Sequence, residues 1–159
     1  MSSPSTTLSS KVETSQPHRV VLYYPAKQRD GTPVTNHEGL AQALELLLCR
    51  EMGGVTRYAA VGNYTTVSGA IHWENIEVLE VYCEAIKWEE QRRFLEILAG
   101  GLARTMNQES LALAVNGRLY LIPECPDWEK MRHFPPLTDL EPSEIARELR
   151  ERISQIIGE

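Results

Sequence analysis

The chain has 159 residues, 42% of them apolar and 24% charged, with a net charge of −6 at neutral pH. A chain of this length buries about 68–70% of its unfolded surface, so it needs no disulfide or metal to hold a core. The acidic balance and the lack of a basic run speak against a nucleic-acid backbone as partner, because displacing counterions takes clustered Lys and Arg.

Residues 1–18, "MSSPSTTLSSKVETSQPH", are rich in Ser and Thr and have almost nothing to bury. They are expected to form a disordered tail, and they have no apolar stretch of the kind a signal peptide carries. Residues 19–159 are read as one domain. "RVVLYY" at 19–24 is β-branched and aromatic and ends at Pro25, which predicts a buried strand. A loop with Asp30-Gly31 as its turn follows. "NHEGLAQALELLLCREMGG" then reads as a helix, capped by Asn36 or Thr35 and stopped by Gly53-Gly54. Its apolar stripe is Leu40, Ala43, Leu44, Leu47 and Leu48.

"VTRYAAVGNYTTV" and "IHWENIEVLEVYCE" read as two strands joined at Ser68-Gly69. In the second, Ile76 and Val78 share one face by the period of two, and then the apolar set moves to Leu79, Val81 and Cys83. That change of phase predicts either a bulge or a strand covered on both faces. "KWEEQRRFLEILAGGLARTMN" is a second amphipathic helix. Its Gly100-Gly101 pair costs about 1 kcal/mol per glycine against alanine, so it marks close packing or a kink. "ESLALAVNGRLYLIP" has Asn-Gly between two alternating runs, the signature of a type I′ hairpin. A Pro-rich connector with Trp128 and Phe134 as anchors precedes the last helix, "EPSEIARELRERISQIIGE". There Pro142 suits the first turn and Ile145, Leu149, Ile153 and Ile156 form a narrow stripe.

The order β-α-β-β-α-β is the ferredoxin-like pattern, here with an extra hairpin strand and a C-terminal helix. The expected fold is therefore α+β: one antiparallel sheet with helices on one face.

The chemistry is sparse. His72 and Glu74 share a strand face and form an H-x-E pair. The same pair occurs in zinc nucleobase deaminases, but there P-C-x-x-C completes the site. Here "PECPD" supplies one cysteine, and zinc needs at least three protein ligands, so no metal and no cofactor are expected. Cys49, Cys83 and Cys125 make no C-x-x-C pair and read as reduced thiols. Cys49 and Cys83 should be small buried hydrophobes, and Cys125 the most exposed. No G-x-S-x-G elbow and no phosphate-binding glycine frame is present. Tyr58, Tyr64, Trp73 and Tyr82 would suit base stacking only beside basic residues, and their neighbours are acidic.

"VVLYY", "RDGTPVT", "GGVTRYAAVGNYTT" and "HWENIEVLEVY" resemble, over residues 20–115, a spacing seen in small bacterial α+β domains without an established activity. That resemblance implies a fold and no catalytic residues. Two functions are weighed. The first is a non-enzymatic, self-associating or protein-binding module, a homo-oligomer using Ile145, Leu149, Ile153 and Ile156 as its interface. The second is a small enzyme or ligand-binding protein with a polar pocket formed by Arg57, His72, Glu74, Asn107 and Gln108. No stretch reaches the roughly 18 apolar residues of a membrane span, so a soluble, cytoplasmic protein is expected.

Overall fold

The computed structural model describes residues 17–130 and 139–158. Five strands form one antiparallel sheet: β1 (His18–Pro25), β2 (Thr56–Thr65), β3 (Ile71–Cys83), β4 (Ser110–Val115) and β5 (Arg118–Pro123). Their order is β2-β3-β1-β4-β5. Without β5 this is the ferredoxin-like arrangement, in which each crossover helix skips one strand, and β5 extends the sheet beyond β4. Three helices accompany it: α1 (His37–Met52), α2 (Trp88–Thr105) and α3 (Pro142–Ile157). The predicted tail overlaps β1 by one residue, His18, and its residues 1–16 lie outside the described residues, as does Phe134. No helix among the described residues is long and apolar enough to cross a membrane.

The core lies between the sheet and α1 and α2. Val20, Leu22 and Tyr24 of β1 and Leu79, Val81 and Cys83 of β3 meet the leucine stripe of α1. The change of phase in β3 is not a bulge, since the pairing with β2 runs unbroken from Thr56↔Glu80 to Thr65↔Ile71. The strand is covered on both faces instead. Val78 packs with Val21 and Ala114 on the far face, joined by Tyr23, Ala60 and Ile76.

Helix α1 ends as expected, with Gly53 at a φ of 89° donating its N–H to the Cys49 carbonyl. Its start differs. Asn36 adopts a left-handed conformation and makes no side-chain cap. Cys49 also departs from expectation and is exposed, while Cys125 is only partly so. Cys83 is buried as predicted, and burial pushes its thiol up to about 11, which leaves it unreactive.

Gly100-Gly101 does not break α2, which is continuous through the pair. The glycines are there for close packing, and the partner is the segment after β5. A Cβ on Gly100 would stand 3.0 Å from the Pro123 carbonyl oxygen, and one on Gly101 would stand 2.5 Å from the Trp128 ring. Trp128 is buried, and its indole N–H donates to the Thr105 hydroxyl at 3.2 Å.

The isoleucine stripe of α3, expected to serve as an interface, packs inside the chain. Ile145, Leu149 and Ile153 are fully buried in the chain's own core, and Ile156 packs against that core. The helix lies chiefly on α1, where Arg150 also bonds Glu51 at 2.6 Å.

Gly101→Ala tests the close approach. Helix propensity alone would raise stability by about 1 kcal/mol, whereas forcing a methyl into the Trp128 ring costs about 1–3 kcal/mol. Urea denaturation should show a net loss. A net gain would mean that Trp128 moves aside freely.

Candidate functional site

The five residues grouped from sequence do not converge. Arg57 pairs with Leu79 across the β2–β3 ladder, so it points to the helix side. His72 and Glu74 are in phase with Ile76 and Val78 and point to the far side. They lie where β3 runs past β1: pairing with β1 stops at Pro25↔Ile76, leaving β2 as the ladder partner of Ile71–Asn75. His72 is exposed and stacks on its cross-strand partner Tyr64, with centroids 5.4 Å apart. Tyr58 and Tyr82 share that face, with Tyr82 bonded to Glu80, which in turn pairs with Arg19.

Asn107 and Gln108 perform structural work at the end of α2. Asn107 has a φ of 51°, its carbonyl accepts the Arg29 N–H, and Gln108 donates its side-chain amide to the Lys27 carbonyl. The cavity beside them, lined by Gln28, Thr35, Asn36 and Met106, is about 70 Å³, room for little more than water.

Arg57 is the centre of an ion cluster. It bonds Glu38 at 2.7 Å and Glu45 at 2.8 Å, both on α1, and approaches Glu77 of β3 at 3.6 Å. Its side chain is 16% exposed. The guanidinium, followed by Gln42, holds the Glu38 carboxyl below the usual carboxylate range. A carboxylate lowered on folding stabilises above its unfolded pKa, and that contribution disappears as the pH falls through the folded pKa. Arg57→Met should therefore cost about 1–2 kcal/mol near neutral pH, by stranding partly buried carboxylates. The gap from the unaltered chain should close as the pH falls below the usual carboxylate range. A gap that is constant with pH in denaturation curves would show that Arg57 acts by packing alone.

A roomier cavity lies elsewhere, between α2 and the β4–β5 hairpin, and measures about 650 Å³. Helix and strand touch closely at Gly100 and Pro123. Towards the start of α2, Trp88, Arg92 and Glu96 line the wedge from the helix side. Leu113, Val115 and Ile122 provide an apolar floor. Arg118 and Tyr120 are in phase with Ile122 and so belong to the helix side of β5, yet both are exposed. Arg118 makes no ion pair among the described residues, whereas Arg92 is held by Glu89 and Glu96, each at 2.8 Å.

One wall is built by the predicted hairpin turn. Asn116 and Gly117 have φ values of 51° and 84°, as a type I′ turn demands. The Asn116 backbone N–H donates to the Arg19 carbonyl, and its side-chain Oδ1 accepts the Arg19 N–H at 2.9 Å. Its Nδ2 then faces His18 Nδ1 at 3.0 Å. His18 in turn stacks on Trp88, with ring centroids 4.1 Å apart and planes 19° from parallel. None of these residues stands out from the sequence as a site residue. In the sequence His18 stands at the end of the tail and Asn116 in a turn, and neither position carries a local sign of a site.

Among the described residues, no group of three or more His, Cys, Asp or Glu is placed to hold a metal ion. No family model and no curated protein matches the chain. Solved structures similar to it include two of a phage enzyme. One is a phage SAM lyase in complex with S-methyl-5′-thioadenosine, with a TM-score of 0.48 and 16% identity over 70% of this chain and 92% of that one. The other is a phage SAM lyase in the apo state, with a TM-score of 0.47 and 16% identity over 67% of this chain and 88% of that one.

The expectation of a non-enzymatic, self-associating or protein-binding module is corrected. The stripe that motivated it is consumed inside the chain, with Ile145, Leu149 and Ile153 fully buried in its own core.

Proposed function

We propose that this chain is a ligand-binding protein or small enzyme that takes a planar small molecule with an anionic group into the wedge between α2 and β5. The carrying observation is that one cavity joins an apolar floor and the His18–Trp88 stack with the exposed guanidinium of Arg118. Its volume of about 650 Å³ is typical of small-molecule sites, which span roughly 300–1,000 Å³. The floor and the rings favour a flat, largely apolar body, and aromatic contacts of this kind add about 0.5–1.5 kcal/mol beyond area burial. Arg118 presents the planar fork of donors that carboxylates and phosphates accept. The second sequence reading is thus retained, with its pocket moved from His72 and Asn107 to the opposite end of the sheet order.

The test is a titration of the full chain, followed by the indole N–H signals of its tryptophans in NMR. Quinoline-4-carboxylate and adenosine 5′-monophosphate are the anionic ligands, and S-methyl-5′-thioadenosine is the uncharged comparison. The anions should move the Trp88 signal and leave that of buried Trp128 in place. Arg118→Ala should weaken them about tenfold, the loss of one charge-assisted contact, with little change for the uncharged compound. No movement at Trp88 with any of the three, or movement at Trp73 on the far hairpin, would overturn the assignment.

A further inference from the structure

The wedge holds an imidazole whose tautomer is set by a neighbour. The Arg19 backbone N–H can only donate, so the Asn116 atom it meets at 2.9 Å must be the carbonyl oxygen Oδ1. The other end of the same amide, Nδ2, can only donate, and it meets His18 Nδ1 at 3.0 Å. A nitrogen that accepts in a neutral imidazole is the bare one, which places the ring hydrogen on Nε2. The Trp88 stack fixes the plane of the ring. Both His18 and Asn116 line the wedge.

We infer that His18 is a specificity-determining residue of this site: a neutral hydrogen-bond donor, through Nε2–H, that selects ligands presenting an acceptor atom on their ring and disfavours those presenting a donor. This rests on the wedge being the ligand site. It assigns His18 a recognition role, since a nitrogen that already carries its hydrogen cannot take a proton from a ligand. The selection has a physical cause. A ligand N–H set against Nε2–H leaves two desolvated donors facing each other, and burying an unmatched donor costs more than a matched bond contributes.

Asn116→Asp tests the inference without disturbing the turn, because Asp-Gly supports the type I′ conformation as Asn-Gly does. One carboxylate oxygen still accepts the Arg19 N–H. The other becomes an acceptor for Nδ1, which moves the ring hydrogen to Nδ1 and leaves Nε2 bare. The imidazole nitrogens are read by ¹⁵N NMR on the full ligand-free chain at about pH 8.5, well above the ordinary imidazole value of about 6.5. The unaltered chain should show hydrogen on Nε2 of His18, and the Asn116→Asp variant should show it on Nδ1.

Binding is then compared for quinoline-4-carboxylate, whose ring nitrogen accepts, and indole-3-carboxylate, whose ring nitrogen donates. The unaltered chain should favour the quinoline about five- to tenfold, the ratio one matched hydrogen bond supplies. The added charge weakens both anions in the variant, so the ratio is what is read, and it should reverse. Hydrogen on Nδ1 in the unaltered chain overturns the tautomer, whatever happens to binding. The expected tautomers with an unchanged ratio overturn the specificity role. Failure of both compounds to bind the unaltered chain, with the expected tautomer present, overturns the ligand site and with it the selection, while leaving the imidazole geometry intact.

Discussion

The close approach of α2 to the segment after β5 sets the shape of this half of the molecule. At Gly100 and Gly101 the helix has no side chain, so backbone and the Trp128 ring come against it directly. Between about 6 and 18 Å of helix away, by its rise of about 1.5 Å per residue, Glu96, Arg92 and Trp88 line the cavity instead. The two elements are therefore closed at one end and apart at the other, and the cavity of about 650 Å³ is the open end. The same seat for Trp128 also serves α3, since the Arg152 guanidinium lies over the indole with its carbon 5.5 Å from the ring centroid. One pair of glycines thus positions a helix, a tryptophan and the wall of the candidate site.

Asn116 shows how a turn residue acquires a second task. Its positive φ is needed to reverse the chain between β4 and β5. Because β4 pairs with β1 as Val20↔Val115, the turn lies level with Arg19 at the start of β1. Its backbone and amide extend that ladder, and the remaining amide hydrogens reach His18. The hairpin is a local feature. The contact that matters at the site spans 98 positions in sequence.

The polar residues that attract attention in the sequence are spent on architecture. Arg57 ties β2 to α1 and β3 through carboxylates. Asn107 and Gln108 fasten the end of α2 to the 27–35 loop. His72 lies on the part of the hairpin that outruns β1, where no helix among the described residues comes to form a cleft over it. Sequence proximity of His72 and Glu74 reflects the period of a strand, and on an exposed hairpin face that period creates neighbours without enclosing them.

The order and type of the elements were legible because each announces itself locally: leucines at helical spacing in α1, β-branched residues in β1, Asn-Gly between β4 and β5. From that order the ferredoxin-like sheet with its fifth strand follows, since a crossover helix and a tight hairpin each admit few arrangements. What lay beyond the sequence depends on distance in space. The stripe of α3 looks the same whether it covers this chain or another, and only the packing on α1 shows which. Glycines in a helix announce close contact but not the tryptophan 27 positions later that makes it. The cavity arises from side-chain volumes at two ends of one helix–strand contact, and its imidazole from pairing between the first and fourth strands. Local propensity determined the elements, and the tertiary structure alone decided which faces meet and where a gap remains, because contact and enclosure are properties of residues far apart in the chain.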